Sequence, residues 1–247
     1  TTDWSLPQQW PDRERWQQLI QRDGNTWGVP YRWGTAVLAY RHDKLRWTPS
    51  RWEDLWRPDL HQRLSLPDAP RLAIGLTLKT LGASFNDPNL VGVSGLREKL
   101  ARLQSKAKYY SSRDYLQPLV LGDTWAAVGW SADVLALTRQ YPNIAAIVPA
   151  EGTALWADLW VRPRQETPSD LPQRARDWLA FCGQPETAQL LERFARGTSP
   201  IAFPEIGIPA LASNSEAIGR SEFLLPLSEA AWGQYRSLWS TMRLGKL

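Results

Sequence analysis

The chain has 247 residues, 43% hydrophobic and 22% charged, a balance that excludes wholesale disorder and permits one large domain or two modest ones. One Cys excludes an intramolecular disulfide and multi-cysteine metal sites, and two His, His42 and His61, argue against a His-rich metal centre. A formal charge of +4 from 29 basic and 25 acidic residues, with no basic tail, leaves no electrostatic footprint for nucleic acid, so the compositional anomaly is 15 Trp.

In chain order, a Trp-punctuated loop leads to a short helix around 12–22, with Asp12 after Pro11 as its N-cap. Residues 27–40, WGVPYRWGTAVLAY, are extended, with Thr35–Tyr40 a strand. In TPSRWEDLWRPDL, Ser50 and Glu53 form a capping box; the short helix that follows carries Trp52 and Trp56 on one side and ends at Pro58. A strand over 63–67 ends in a Pro-Asp-Ala-Pro turn. A helix over 71–81 stops at Gly82.

The stretch 94–105 is an amphipathic helix, with Leu96, Leu100 and Leu103 on one face. A strand at Tyr109-Tyr110, a helix over 113–121 and a buried strand over 124–130 follow. Next come a helix over 132–140 and strands over 145–148 and 155–162. Helices over 171–182 and 186–196 form a pair joined at 183–185. Residues 197–227, with Pro200, Pro204, Pro209 and Pro226, are expected to be mostly loop, and 229–242 is helical. Strands and helices alternate throughout, which predicts an α/β fold.

No apolar stretch is long enough to span a membrane, and the N-terminal TTDWSLPQQWPDRERW has no basic region followed by an apolar one. A cytosolic chain and a mature exported one both fit. Cys182 is expected as a small buried apolar residue.

Three segments in order carry a resemblance: GVPYRWGTAVLAYRHDKL followed by SRWEDLWRPDL, then GDTWAAVGWSADV, then EGTALWADLWVRP with the helix pair after it. Over about residues 27–205 the chain resembles the periplasmic solute-binding proteins of ABC importers, in particular the spermidine/putrescine-binding family. The resemblance implies a two-lobe, type II α/β fold. One lobe would comprise 1–35 with 156–247 and the other 41–150, with crossover strands near 31–40 and 156–161. Family members open with further βα units. At ~30 residues per unit, roughly 60–90 residues are expected ahead of this chain, so the first lobe would be N-terminally incomplete.

A polyamine is an apolar stem with cationic ends, so its site needs carboxylates at the ends and aromatic faces along the stem. Carried over residue by residue, the resemblance makes Trp130 a stacking residue, Trp156 and Asp158 an indole–carboxylate pair, and Asp68 an acidic ligand residue. Three residues beyond Asp68 the family places a second carboxylate, whereas this chain has Arg71. The candidate ligands therefore widen from polyamines to a monoamine, a zwitterion or an anion bridging Arg71, and a degenerate pocket with no tight ligand stays open. Tyr31 and Trp33 line the cleft or pack at the crossover, and Asp68 could instead cap the next helix.

The function expected is non-catalytic capture of a small solute for an ABC permease in the periplasm, with no cofactor and no metal. Two alternatives stay open: a carbohydrate-active enzyme using Trp stacking with Asp158 and Glu151 or Asp123, and a solute-binding fold reused for protein interaction.

Overall fold

The computed structural model describes residues 10–163, 171–194, 197–203 and 215–247. The expectations for Trp4, Arg196, Pro204 and Pro209 concern residues outside that set. In chain order the elements begin with α1 (Arg13–Ile20), β1 (Gln21–Arg22), β2 (Asn25–Thr26), β3 (Val29–Arg41), β4 (Leu64–Pro67) and α2 (Pro70–Thr80). Next come α3 (Leu96–Lys106), β5 (Ala107–Ser111), α4 (Gln117–Leu121), β6 (Ala126–Trp130), α5 (Ser131–Gln140) and β7 (Ile144–Ile147). The chain continues through β8 (Ala154–Trp160), α6 (Gln173–Cys182), α7 (Pro185–Phe194), α8 (Ser215–Gly219), β9 (Glu222–Phe223) and α9 (Glu229–Arg243).

Two compact units share these elements. Unit 1 comprises Thr1–Gly34 and Trp156–Gly207; unit 2 comprises Thr35–Leu155 and Ile208–Leu247. The sequence suggested that 156–247 belongs wholly to the first lobe. That assignment is corrected for the tail. Helix α9 packs on α2 and α3, placing Tyr235, Leu238, Trp239 and Met242 in the core of unit 2.

Unit 2 is built on a sheet with strand order β5-β4-β6-β3-β8-β9, with β7 also on β3. β4 pairs parallel with β5 and β6, while β3 runs antiparallel to β6 and β7. In α2 every residue from Leu72 to Leu78 is buried, so it is a core helix rather than an amphipathic one. In α3 the 3.6-residue spacing is kept, and Leu96, Leu100 and Leu103 are the buried residues. Helix α9 starts at Ser228, whose hydroxyl accepts the Ala231 N–H at 3.2 Å.

Unit 1 has a different core, made largely of rings. Trp10 and Trp16 meet edge to face at 6.3 Å, Trp16 meets Phe203 at 5.5 Å, and Trp33 meets Phe203 at 4.7 Å.

Several local expectations are corrected. The turn after Arg51 is a 3₁₀ helix, Trp52–Trp56, and Asp54 rather than Glu53 satisfies its entry. The Asp54 carboxylate accepts from the Ser50 and Arg51 N–H groups at 2.8 and 3.1 Å, while Glu53 pairs with Lys99. Asp12 stands at the α1 N-cap without a side-chain capping bond and pairs with Arg15 at 3.1 Å. The helix expected over 113–121 shrinks to α4, because the Ser111 hydroxyl accepts from both the Arg113 and Asp114 N–H groups and holds a turn there. Within the stretch expected as loop, α8 and β9 form.

Candidate functional site

In unit 1 the Pro-Tyr-x-Trp-Gly segment lies on β3 beside β8. Gly34 explains why glycine stands in that motif. A Cβ there would come within 2.6 Å of Trp156 Cζ2, so only a glycine lets the indole lie against the strand. A Cβ on Gly197 would come within 3.1 Å of the same ring. The buried Trp156 Nε1 faces this glycine surface, and among the described residues nothing accepts its hydrogen.

Two positions along β8, Asp158 is exposed rather than buried. Its Oδ2 accepts from Arg32 Nε at 2.6 Å, and the two side chains are 48% and 32% exposed. The Arg32 guanidinium also stands 5.9 Å from the Trp156 ring and 5.8 Å from the Tyr31 ring. Tyr31 is half-buried against Trp160 at 4.8 Å. Trp33 is 0% exposed, donates from Nε1 to the Ser199 carbonyl at 3.2 Å and exchanges backbone bonds with Thr198. Of the two roles considered for Trp33, the structure gives core packing, which leaves no ring surface open to a solute.

In unit 2, Trp130 closes β6 and is half-buried at the start of α5. The hydroxyl of Ser131 after it is buried and accepts the Thr35 N–H at 3.1 Å. The Thr35 hydroxyl donates to Ala154 at 3.1 Å, and the Thr153 hydroxyl donates to Ala36 at 2.8 Å. These buried hydroxyls fasten β3 to the start of β8, next to the points where the chain leaves unit 2.

Asp68 does not cap α2. Its Oδ1 accepts from Trp239 Nε1 and from an Arg243 guanidinium nitrogen, both at 3.0 Å. Arg243 stacks on Tyr110 at 4.2 Å, and burial raises the phenol pKa of that tyrosine.

Arg71 donates to the Leu225 carbonyl at 2.6 Å, to Asn86 Oδ1 at 2.7 Å and to the Phe85 carbonyl at 3.1 Å. Burial lowers its pKa. It is a structural tie between the start of α2 and the segment after β9. The carboxylate of Glu151 accepts the Trp52 and Glu53 N–H groups at 2.9 and 3.2 Å. It therefore caps the Trp52–Trp56 turn, and Trp52 Nε1 donates to the Gly152 carbonyl at 2.9 Å. The Glu-Gly and Trp-x-Asp-Leu-Trp motifs are thus one structural joint. That commits one acid of the carbohydrate-active alternative to backbone capping.

Two residues the sequence did not single out, Arg32 and Arg243, hold the two carboxylates that it did. Only their pairing in space marks them, and no local pattern could have shown it. Among the described residues of unit 1 lie cavities, two of them sizeable. One, of about 340 Å³, is apolar and lined by Trp27, Trp160, Trp178 and Leu179. The other, of about 420 Å³, is lined by Trp10, Tyr31, Trp160, Arg176 and Cys182. Cys182 is half-buried rather than buried, and that partial burial raises its thiol pKa. Among the described residues there is no cluster of His, Cys, Asp and Glu placed to hold a metal, and no helix long and apolar enough to cross a membrane.

Comparison with known proteins follows the same lines. The profile of the family described as bacterial extracellular solute-binding protein matches residues 4–217. The chain is 21% identical over 230 residues to a spermidine/putrescine-binding periplasmic protein of Salmonella typhimurium, covering 90% of this chain and 65% of that protein. It is 26% identical over 244 residues to a putrescine/cadaverine-binding protein of Pseudomonas aeruginosa, covering 90% and 67%. Among solved structures, the spermidine/putrescine ABC transporter substrate-binding protein of Streptococcus pneumoniae superposes with a TM-score of 0.79. The identity is 22%, over 91% of this chain and 71% of that one. The chain thus spans about two thirds of the length of these relatives, and it shares the α/β fold of periplasmic binding proteins.

Proposed function

This chain belongs to the bacterial extracellular solute-binding protein family, and from that premise we propose that it captures a small amine-bearing solute outside the cytoplasm and hands it to the permease of an ABC importer. The observation that carries this reading is the Trp156–Asp158 pair. One residue presents an indole held by Gly34 and Gly197, and the other a carboxylate that remains half open to solvent. An ammonium gains from both: the ring quadrupole attracts it, worth roughly 0.5–2 kcal/mol, and the carboxylate orients it. In unit 2, Trp130 is half-buried and Asp68 is paired with Arg243, and each stays a candidate contact of that unit taken by itself. Arg71 and Trp33 act structurally and Tyr31 supports the β8 strand, so the contacts proposed in unit 1 narrow to Asp158 and Trp156. Capture needs no bond to be made or broken.

Thermal unfolding with a panel of amines, amino acids and sugars tests the proposal. A solute at a hundred times its Kd adds about 2.7 kcal/mol, which for a chain of this size is roughly 5–10 °C. The expected result is such a shift with an amine-bearing solute that disappears in Asp158→Ala. A shift with oligosaccharide accompanied by release of reducing ends would instead favour the carbohydrate-active reading, and no shift with any solute would favour an interaction role.

A further inference from the structure

In unit 2 the last residue of α9, Arg243, closes a small cluster with Asp68, Tyr110 and Trp239. Asp68 directly follows β4, and the parallel pairing of β4 with β5 sets Leu66 opposite Tyr110. Asp68 Oδ1 accepts from Arg243 Nη1 and from Trp239 Nε1, both at 3.0 Å. The Arg243 guanidinium lies 4.2 Å from the centre of the Tyr110 ring and 5.7 Å from that of Trp239. The two rings meet edge to face at 5.6 Å, and the Tyr110 hydroxyl donates to Gln104, so the aromatic surface is fixed without help from Arg243. The cation is held more lightly. Both members of the ion pair are partly exposed, Arg243 donates through Nη1 alone, and Asp68 Oδ2 accepts no hydrogen bond among the described residues. Arg243 is also the final residue of its helix, where backbones fray.

We propose that Asp68, Tyr110 and Trp239 form a binding site for an alkylguanidinium group, and that Arg243 is its occupant in cis, an autoinhibitory contact that an external cation must displace. A carboxylate beside a ring face is the setting a planar cation uses: the ring quadrupole attracts its face, and the carboxylate takes an N–H at its edge. A guanidinium is preferred over an ammonium because its flat ion does both at once, as Arg243 does. An exposed ion pair with one close cation–π contact favours the closed form over the open one by roughly tenfold. An external cation therefore meets an apparent Kd raised by about that factor. The site lies wholly in unit 2 and draws on nothing from the Trp156–Asp158 pair of unit 1, so either proposal can fail without the other.

Ethylguanidinium, the part of the side chain that Arg243→Ala deletes, is the probe. Titration of the isotope-labelled full chain is followed by nuclear magnetic resonance at the Trp239 indole N–H, which bonds to Asp68 and is assigned by its loss in Trp239→Phe. Sodium chloride at equal ionic strength is the blank. In Arg243→Ala a saturable shift is expected, with an apparent Kd about tenfold below that of the wild type. Ethylamine is expected to bind the same variant more weakly. Adding Asp68→Asn to Arg243→Ala is expected to abolish the shift. Arg243→Lys, which keeps the charge without the flat face, is expected to fall between wild type and Arg243→Ala, and it carries the comparison if a thermal melt shows the alanine variant unfolded. Equal affinity in the wild type and in both Arg243 variants overturns the proposal. Saturable binding that survives Asp68→Asn overturns it too, as does the absence of a saturable shift in every form.

Discussion

Unit 1 and unit 2 surround their buried tryptophans differently, with rings in unit 1 and aliphatic side chains in unit 2. In unit 2 three tryptophans sink into an aliphatic core, and their indole N–H groups find carbonyls or a carboxylate. Trp52 donates to Gly152, Trp56 to Lys99 at 2.8 Å and Trp239 to Asp68. In unit 1 they pack largely on one another, and Trp27 and Trp178 remain 63% and 51% exposed. Helix α6 buries none of its residues. A Trp-rich composition therefore measures no single property. The recognition surface we propose rests instead on one indole, Trp156, set on glycine beside a partly open carboxylate.

The sharpest way to break this contrast is truncation in each unit. Trp52→Ala in the unit 2 core should cost about 3–5 kcal/mol in chemical denaturation, because it removes a fully buried ring and leaves a cavity. Trp178→Ala in unit 1 should cost no more than about 1 kcal/mol, since it loses only the ring contacts with Trp160 and Phe181 of a half-exposed side chain. Equal costs would remove the distinction between the units.

A smaller effect is expected at Gly34. Gly34→Ala pushes a methyl group into the Trp156 indole, an overpacking of about 1–3 kcal/mol. It should also abolish solute binding. Denaturation and titration of the same sample check both parts.

Smaller again, Arg32→Gln should change stability by only about 0.2–1 kcal/mol, because the ion pair is exposed and screened. Its effect should appear in solute affinity at Asp158 instead. A large loss of stability would recast the pair as structural.

The smallest effect concerns pH in unit 2. Arg41 holds the Asp43 carboxyl at about 2, below its ordinary 3.8, chiefly through their hydrogen bond. A depressed pKa adds stability above pH 3.8, and that contribution fades as pH falls towards 2. The pair is partly exposed, so the loss is slight. Thermal midpoints should fall over that window, and Asp43→Asn should remove a small part of the fall.

Much of the fold was legible in the sequence because its signals are local. Leucine spacing marked α3, the alternation of strands and helices marked the α/β class, and Pro58 and Gly82 marked element ends. The failures came where distant contacts decide. Asp54 rather than Glu53 satisfies a turn that Glu151, about a hundred residues away, also caps. The tail from 208 joined unit 2 because α9 presents Tyr235, Trp239 and Met242 to α2 and α3. Among the candidate site residues, Trp156 and Asp158 lie near each other on β8, as their spacing implied. Asp68 and Arg71 met partners 150 or more residues away, Arg243 and Leu225, which no motif announces. Trp33 follows half-buried Arg32 yet is fully buried, because strand alternation turns it to the opposite side and the Thr198 bridge covers it.

The account stands most directly on solute capture through Asp158. A titration of intrinsic tryptophan fluorescence with the amine that gives the largest thermal shift, in wild type and Asp158→Asn, measures it in one experiment. The account predicts a saturable change in the wild type that is lost, or weakened at least about tenfold, in the variant. An identical titration in both proteins would contradict it.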